Sequence, residues 1–317
     1  MDVIACGELL IDFVATESGV TLAEAPAFKK APGGAPANVA VGVARLGRQA
    51  GFMGQVGDDE FGHFLADTLV AHSVDIRGLR FTPAARTALA FVSLRADGER
   101  DYMFYRHPSA DMLWQPAEVD AVYAAGTRVF HYGSISLIAE PSRSATLAAL
   151  AAARRSGALI SYDPNLRLPL WPAPDTARAG ILAGLHHAHL VKVSEEELAF
   201  LSGTDNLTDA VQRLWHVGLR LLVVTQGAAG CTYITTAGRG QVPGFTVAPV
   251  DTTGAGDGFV AGLLVSLLEG GLHWDRDSVE RALRLANAVG ALTTIQRGAI
   301  PALPTMDEVH AFLHRAG

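Results

Sequence analysis

Lysine is nearly absent from this chain: Lys29, Lys30 and Lys192 are the only three among its 317 residues. No Gly-Lys-Ser or Gly-Lys-Thr occurs, which excludes a P-loop. Any nucleotide phosphate must then be held by backbone amides and arginines. Basic runs are missing too, and the net charge is −7. No basic stripe for nucleic acid is visible. Cysteine is scarce. Cys6 and Cys231 each lie in an apolar, strand-like segment, without zinc spacing or a disulfide framework, and read as buried core thiols. No apolar run approaches the roughly 18 residues of a membrane span. The N-terminal stretch lacks the basic flank and long apolar core of a signal peptide. The expectation is a cytoplasmic protein in a reducing compartment, with no membrane or nucleic-acid partner. The first strand runs on into Gly-Glu-Leu-Leu-Ile-Asp at 7–12, not Gly-x-Gly-x-x-Gly, so a Rossmann dehydrogenase fails. His186, His187 and His189 cluster without a carboxylate or Cys at ligand spacing, and a surface loop explains them better than a metal site.

What is present is an alternation of apolar strand-like and helix-like segments. Strand-like stretches fall at 3–12, 49–55, 128–132, 158–163, 190–193, 219–224 and 244–250. Helical ones fall at 39–46, from the 57–62 turn to about 71, 116–124, 142–155, 258–268, 278–295 and 306–315. This length and rhythm predict an α/β, doubly wound, mostly parallel sheet flanked by helices. Residues 86–106 break the rhythm. Two strand-like runs, 87–94 and 100–105, flank Ala-Asp-Gly-Glu at 96–99, which reads as a hairpin turn. Such an inserted hairpin leaves the main sheet as a lid or an interface.

The chemistry concentrates at Asp-Thr-Thr-Gly-Ala-Gly-Asp, 251–257, just ahead of the 258–268 helix. Glycines at 254 and 256 permit backbone angles and close approaches that a side chain forbids. The amides of Gly254, Ala255, Gly256 and Asp257 then face out of a helix N-terminus, an anion site. A carboxylate, Asp257, stands in the same mouth. The pairing makes sense where that carboxylate takes a proton from a hydroxyl that attacks the bound anion, as in phosphoryl transfer to an alcohol. An Asp-capped helix after a glycine turn explains the same spacing equally well. A second glycine-rich point, Pro-Gly-Gly-Ala-Pro-Ala-Asn at 32–38, also opens a helix, with Asn38 in its first turn. Asn38 offers both donors and acceptors to a neutral polar ligand. Asp12 ends the first strand-like run, at the edge where open sheets bind ligands, or is a turn former. Asp-Pro-Asn-Leu-Arg at 163–167 reaches the same edge. Ser-Glu-Glu-Glu at 194–197 starts a helix, and its acids read first as helix-dipole partners, with a magnesium role the lesser reading.

With these motifs in place, the chain resembles the ribokinase-like (PfkB) carbohydrate kinases over its whole length. One family signature matches Gly33, Gly34, Asn38, Ala40, Gly47 and Gly57, and the other matches 251–257 without a gap. Three further stretches, 86–113, 131–138 and 161–171, resemble the fructokinase branch. The resemblance implies a single kinase domain over 1–317, with lid strands inserted at about 13–32 and 86–108. It implies Asp257 as general base, with the Gly254, Ala255 and Gly256 amides on the transferring phosphate. Asp12, Gly33, Gly34 and Asn38 would grip D-fructose, Arg106 would close over it from the lid, and Arg167 would reach sugar or phosphate. Lys192, Ser194, Thr225, Gly227, Gly230 and Asn287 would lie along ATP. Glu197 falls on the family's Asn-x-x-Glu motif, linked to Mg²⁺, with Ser194 standing where Asn is usual. Asp251, Thr253 and Gly298 would hold a monovalent cation, K⁺ by expectation. Alternate apolar residues along the lid hairpin, Leu89, Phe91, Met103 and Tyr105, suggest a homodimer formed through the lid, since a two-stranded lid is marginal alone.

Two rivals remain on the sequence. A 2-keto-3-deoxygluconate kinase of the same family needs cations for its substrate's carboxylate, which Arg106 and Arg167 could supply. A non-catalytic sugar-binding protein that keeps the kinase fold should have lost the base or the glycines, yet Asp257, Gly254 and Gly256 are all present.

Overall fold

The computed structural model describes residues 1–95 and 100–316. The turn read at 96–99 lies outside the described residues. The chain opens with β1 (Val3–Cys6), whose four residues are all apolar and all buried. Val3 and Ala5 join one apolar layer, while Ile4 and Cys6 join another. A strand covered on both faces is apolar at every position, which is why it shows no alternation in sequence.

The run at 3–12 is not one strand. After β1 the chain passes Gly7 and enters β2 (Leu10–Ala15), which belongs to a different sheet. The break falls at Gly7-Glu8, which interrupts the apolar run, so Asp12 lies inside β2 and not at the end of a core strand. The chain continues with β3 (Phe28–Gly33), α1 (Ala35–Arg45), β4 (Ala50–Gly57), α2 (Glu60–Ala71), β5 (Val74–Thr82), β6 (Leu89–Leu94) and β7 (Arg100–Tyr105). Then come α3 (Ala121–Ala125), β8 (Val129–Tyr132), α4 (Ser142–Arg155), β9 (Leu159–Tyr162), α5 (Pro174–Leu185), β10 (Leu190–Ser194), α6 (Glu195–Ser202) and α7 (Leu207–Leu214). The last part is β11 (Leu221–Thr225), β12 (Gly230–Thr235), β13 (Gly238–Pro243), α8 (Ala255–Glu269), α9 (Arg276–Thr293) and α10 (Met306–Ala316).

Among the described residues the main sheet has nine strands in the order β13-β12-β11-β10-β9-β8-β1-β4-β5. It is parallel from β11 to β5 and antiparallel at the β11-β12-β13 edge. Helices cover both faces, as a doubly wound sheet requires. One layer packs α1, α8 and α9 side chains such as Val39, Leu263 and Leu283, and the other packs Ala149, Ile181 and Leu214 from α4, α5 and α7. Buried residues run along nearly all of α8, from Asp257 to Leu268, which accounts for its apolar character all round.

A second sheet, β3-β2-β6-β7, collects the inserted strands. Residues 244–250 are not a strand. The antiparallel hairpin β12–β13 closes the sheet edge earlier, and this segment carries the chain as an irregular loop to α8. Cys6 and Cys231 are buried, unpaired thiols, and burial pushes both up to about 12. Among the described residues no helix is long and apolar enough to cross a membrane.

Candidate active site

The N-terminus of α8 lies on a cleft of about 490 Å³ whose lining includes Asp12, Asn38, Asp163, Lys192, Gly254, Gly256 and Asp257. Gly254 caps the helix at φ 79. A Cβ there would sit 2.8 Å from that of Ala299, so glycine is required twice over. The first-turn N–H groups of a helix have no intrahelical partner. Ala255 differs from the expected fully outward set, because its N–H donates to the Thr252 carbonyl at 3.3 Å. Gly254, Gly256 and Asp257 occupy the cap and first turn of this helix.

Asp257 is 8% exposed and accepts a hydrogen bond from Asn38 Nδ2 at 2.7 Å. Burial pushes its carboxyl up to about 7, against the Asn38 amide, which favours the ionised form. The contact joins the two glycine-rich motifs, 219 residues apart, because α1 and α8 pack side by side. Asn38 Oδ1 is buried and has no partner among the described residues.

Gly33 and Gly34 form the turn into α1. A Cβ on Gly33 would lie 2.1 Å from Asp12 Oδ2, and one on Gly34 would lie 2.4 Å from the Glu8 carbonyl. Gly33 therefore makes room for the Asp12 carboxylate that faces the cleft, and Gly34 for the close approach of the Glu8 carbonyl. Arg106 departs from expectation. It is 4% exposed, donates from Nε to Asp111 Oδ2 at 3.1 Å, and does not line the cleft. Its charge is committed to a buried pair at the root of the small sheet. Arg167 does line the cleft, held by the carbonyl of Leu166 at 3.1 Å and set 5.9 Å from the Tyr102 ring of β7.

Lys192, near the end of β10, is buried and donates to Asp163 Oδ2 at 3.1 Å. Burial alone would lower its pKa, but Asp163, Glu197 and Asp257 together hold the ammonium above its ordinary value. Ser194 and Glu197 form a reciprocal capping box on α6. Glu197 also accepts the Leu166 N–H at 2.7 Å, tying the 163–167 loop to that helix. Asn165 takes φ 46 in this loop and donates its N–H to Asp163 Oδ1, so the turn is locked at both ends. No group of three His, Cys, Asp or Glu side chains able to hold a metal occurs among the described residues.

Asp251, Thr253 and Gly298 come together. Asp251 accepts from Thr253 N at 2.9 Å and Thr253 Oγ1 at 2.6 Å, and from Gly298 N at 2.9 Å. Thr225, Gly227, Gly230 and Asn287 lie outside the cleft lining. Thr225 ends β11 and donates its hydroxyl to Val193. Gly227 (φ 55) and Gly230 (φ 100) shape the turn into β12. Asn287 spends its amide on the Val242 and Pro243 carbonyls at 3.2 and 3.0 Å, which pins α9 to β13.

The small sheet supplies one wall of the cleft through Val14, Val92, Ser93, Tyr102 and Phe104. Sequence reasoning missed Glu8, Tyr102, Phe104 and Arg297 as lining residues, and placed Asp163 only generally, at the ligand edge of its strand. For Glu8 a signal existed: a carboxylate one glycine beyond a wholly apolar strand. Tyr102 and Phe104 show only as one phase of an alternating strand.

Residues 1–306 match the sequence profile described as pfkB family carbohydrate kinase. The chain is 56% identical to probable fructokinase-7 of Arabidopsis thaliana, over 98% of this chain and 92% of that one. It is similar in structure to a fructokinase of Xylella fastidiosa with bound ATP, at 37% identity and TM-score 0.91, covering 99% of this chain and 98% of that one. It is also similar to a fructokinase of Vibrio cholerae O395 bound to fructose, ADP and calcium ion, at 39% identity and TM-score 0.89, covering 98% of each. With one profile running nearly end to end and both glycine motifs meeting at one cleft, the chain belongs to the pfkB family of carbohydrate kinases.

Proposed function

We propose that this chain is an ATP-dependent fructokinase, transferring the γ-phosphoryl group of ATP to the primary 6-hydroxyl of D-fructose to give fructose 6-phosphate and ADP. The carrying observation is a buried carboxyl, Asp257, in the mouth of a glycine-capped helix N-terminus. Asn38 holds Asp257 in place. A carboxyl at about 7 is poised to accept the hydroxyl proton near neutral pH. As the oxygen attacks, charge grows on the transferring phosphoryl. The outward amides of Gly254, Gly256 and Asp257 face that charge, with the Lys192 ammonium behind them. Asp12 and Asn38 Oδ1 accept sugar hydroxyls, with the Gly33-Gly34 turn bringing backbone close. Arg167 spans sugar and phosphate. Arg106, bound to Asp111, acts on the lid root and not on the sugar.

ATP lies along the ends of β10 and β11, against Ser194, Thr225, Gly227 and Gly230, with its adenine toward Asn287. Mg²⁺ fits this site because it travels on the nucleotide phosphates and needs few protein ligands. When bound, it neutralises phosphate charge. Glu197 serves it indirectly, through the 163–167 loop. A monovalent cation, K⁺ by this reading, would be held near the carboxylate of Asp251 and the turn containing Thr253 and Gly298.

The whole chain, 1–317, works as one kinase unit, and the small sheet is its lid. Closing it excludes water that would hydrolyse ATP. Its far face carries Phe13, Phe91 and Met103 in register, with Met103 44% and Tyr105 55% exposed. A second copy burying this face gives a homodimer.

A coupled ADP-release assay with ATP and Mg²⁺ across fructose, glucose, ribose and 2-keto-3-deoxygluconate tests the reading. The expected result is a clear preference in kcat/KM for fructose. Turnover on the keto-acid alone would overturn the substrate and leave the Asp257 chemistry standing.

A further inference from the structure

Glu8 follows β1 after Gly7 and lines the cleft, yet its side chain is almost wholly shielded, at 3% exposure. Its Oε1 accepts the Ala35 N–H at 3.0 Å, at the start of α1. Its Oε2 is buried with no partner among the described residues. Leaving a buried carboxylate oxygen unpaired is costly, so such an atom at a ligand site points to a ligand donor. The nearest opposite charge, Arg106, is already bound to Asp111. Burial accordingly pushes Glu8 up to about 7, with Arg106 offsetting only part of the shift.

Two neighbours narrow what the ligand donor is. Asn38, also cleft-lining, has its amide on Asp257 and its buried Oδ1 unpaired. Among the described residues the buried cleft-lining atoms without a partner are Glu8 Oε2, Asn38 Oδ1 and Ser93 Oγ: the first accepts when ionised, the second only accepts, and the Ser93 hydroxyl does either, a set that matches hydroxyl groups. The cleft lining as a whole carries six carboxyls (Glu8, Asp12, Glu17, Asp163, Asp251 and Asp257) against the cations Arg167, Lys192 and Arg297. Lys192 is moreover committed to Asp163.

We propose that Glu8 is a specificity-determining residue whose Oε2 accepts one hydroxyl of the neutral sugar and bars acceptors that would place a carboxylate there. The proposal rests on the fructokinase reading. Glu8 touches substrate and takes no proton from the reacting hydroxyl, which is the part of Asp257. Its Oε1 bond to Ala35 separately fixes the Gly33-Gly34 turn.

The test compares wild type and Glu8→Gln on D-fructose and on its 1-deoxy, 3-deoxy and 4-deoxy analogues. Glutamine keeps an acceptor for Ala35 and presents a donor where Oε2 was. The variant should raise the fructose KM roughly 10–100-fold, with kcat within about threefold. One of the three analogues should cost wild type a similar factor and cost the variant nothing further. Its preference for fructose over 2-keto-3-deoxygluconate should narrow as well. An unchanged fructose KM, or analogue penalties equal in the two proteins, overturns the role of Glu8 and leaves the fructokinase reading intact. A wild-type enzyme inert toward fructose overturns both. Should Glu8→Gln lose its cooperative melt, Glu8→Asp replaces it. That variant keeps the charge but withdraws the oxygen, and must show the same KM increase and the same insensitivity to a single analogue. A uniform loss over all sugars assigns Glu8 to structure alone.

Discussion

Replacing Asp257 with asparagine should make the protein more stable while disabling it, and the gain should grow with pH. The substitution keeps size and an acceptor for the Asn38 amide, and removes only the titratable group. In the folded chain the carboxyl sits at about 7, against 3.8 for an unperturbed Asp, because burial penalises its charge. Between those values the folded state holds the proton more tightly than the unfolded chain. Its contribution is therefore fully present below the unfolded pKa and is lost as pH rises through the folded one. About three units correspond to about 4 kcal/mol at about pH 8, a ceiling because water entry and relaxation soften the cost of a buried charge. At about pH 4 the same arithmetic leaves about 0.5 kcal/mol. At roughly 2 °C per kcal/mol, Asp257→Asn should melt roughly 4–8 °C above wild type at about pH 8, and about 1 °C above it at about pH 4. Thermal melts of both proteins across this range give the difference directly. Turnover should fall roughly 10²–10⁴-fold with sugar affinity retained. A variant that melts lower than wild type at high pH refutes the buried-carboxyl argument, and near-normal kcat refutes the general-base role.

Other consequences follow from the same contacts. The kcat/KM profile should rise with pH through an apparent pKa near 7, since the base must be ionised; Asn38→Ala, which removes the bond favouring the ionised form, should move that limb to higher pH. Gly33→Ala places a Cβ 2.1 Å from Asp12 Oδ2 and should raise the sugar KM far more than the ATP KM, as read from initial rates. Lys192→Met strands Asp163 without its partner and should cost about 3–5 kcal/mol in urea denaturation. Met103→Glu puts a charge on the outer lid face and should turn a dimer into a monomer by light scattering; a wild-type monomer at micromolar concentration would contradict the interface.

The sequence carried the parts of the fold where one physical rule acts alone. The β-α rhythm predicts the doubly wound sheet, and α4 and α10 fall within a residue of where their periodicity places them. The 3–12 run fails because it joins two short apolar stretches across Gly7-Glu8, where the chain changes sheets. Residues 244–250 fail because a strand-like composition also suits an extended loop. In the site, the glycine motifs named Asp257 and Asn38, but not their 2.7 Å contact, which depends on α1 packing against α8. Arg106 was legible as a strand-terminal cation, while its partner Asp111, five residues on, was not. Glu8 and the Lys192–Asp163 pair depend on burial, and burial of a charged side chain is decided by tertiary neighbours.

The most direct test of the account is the identity of the product. Phosphorus and carbon NMR of the reaction of ¹³C-labelled fructose with ATP, Mg²⁺ and this enzyme should show the phosphate coupled to C6, the primary hydroxyl that Asp257, as the proposed base, would deprotonate. Phosphate on C1, or ATP hydrolysed with fructose unchanged, would contradict the reading of the cleft.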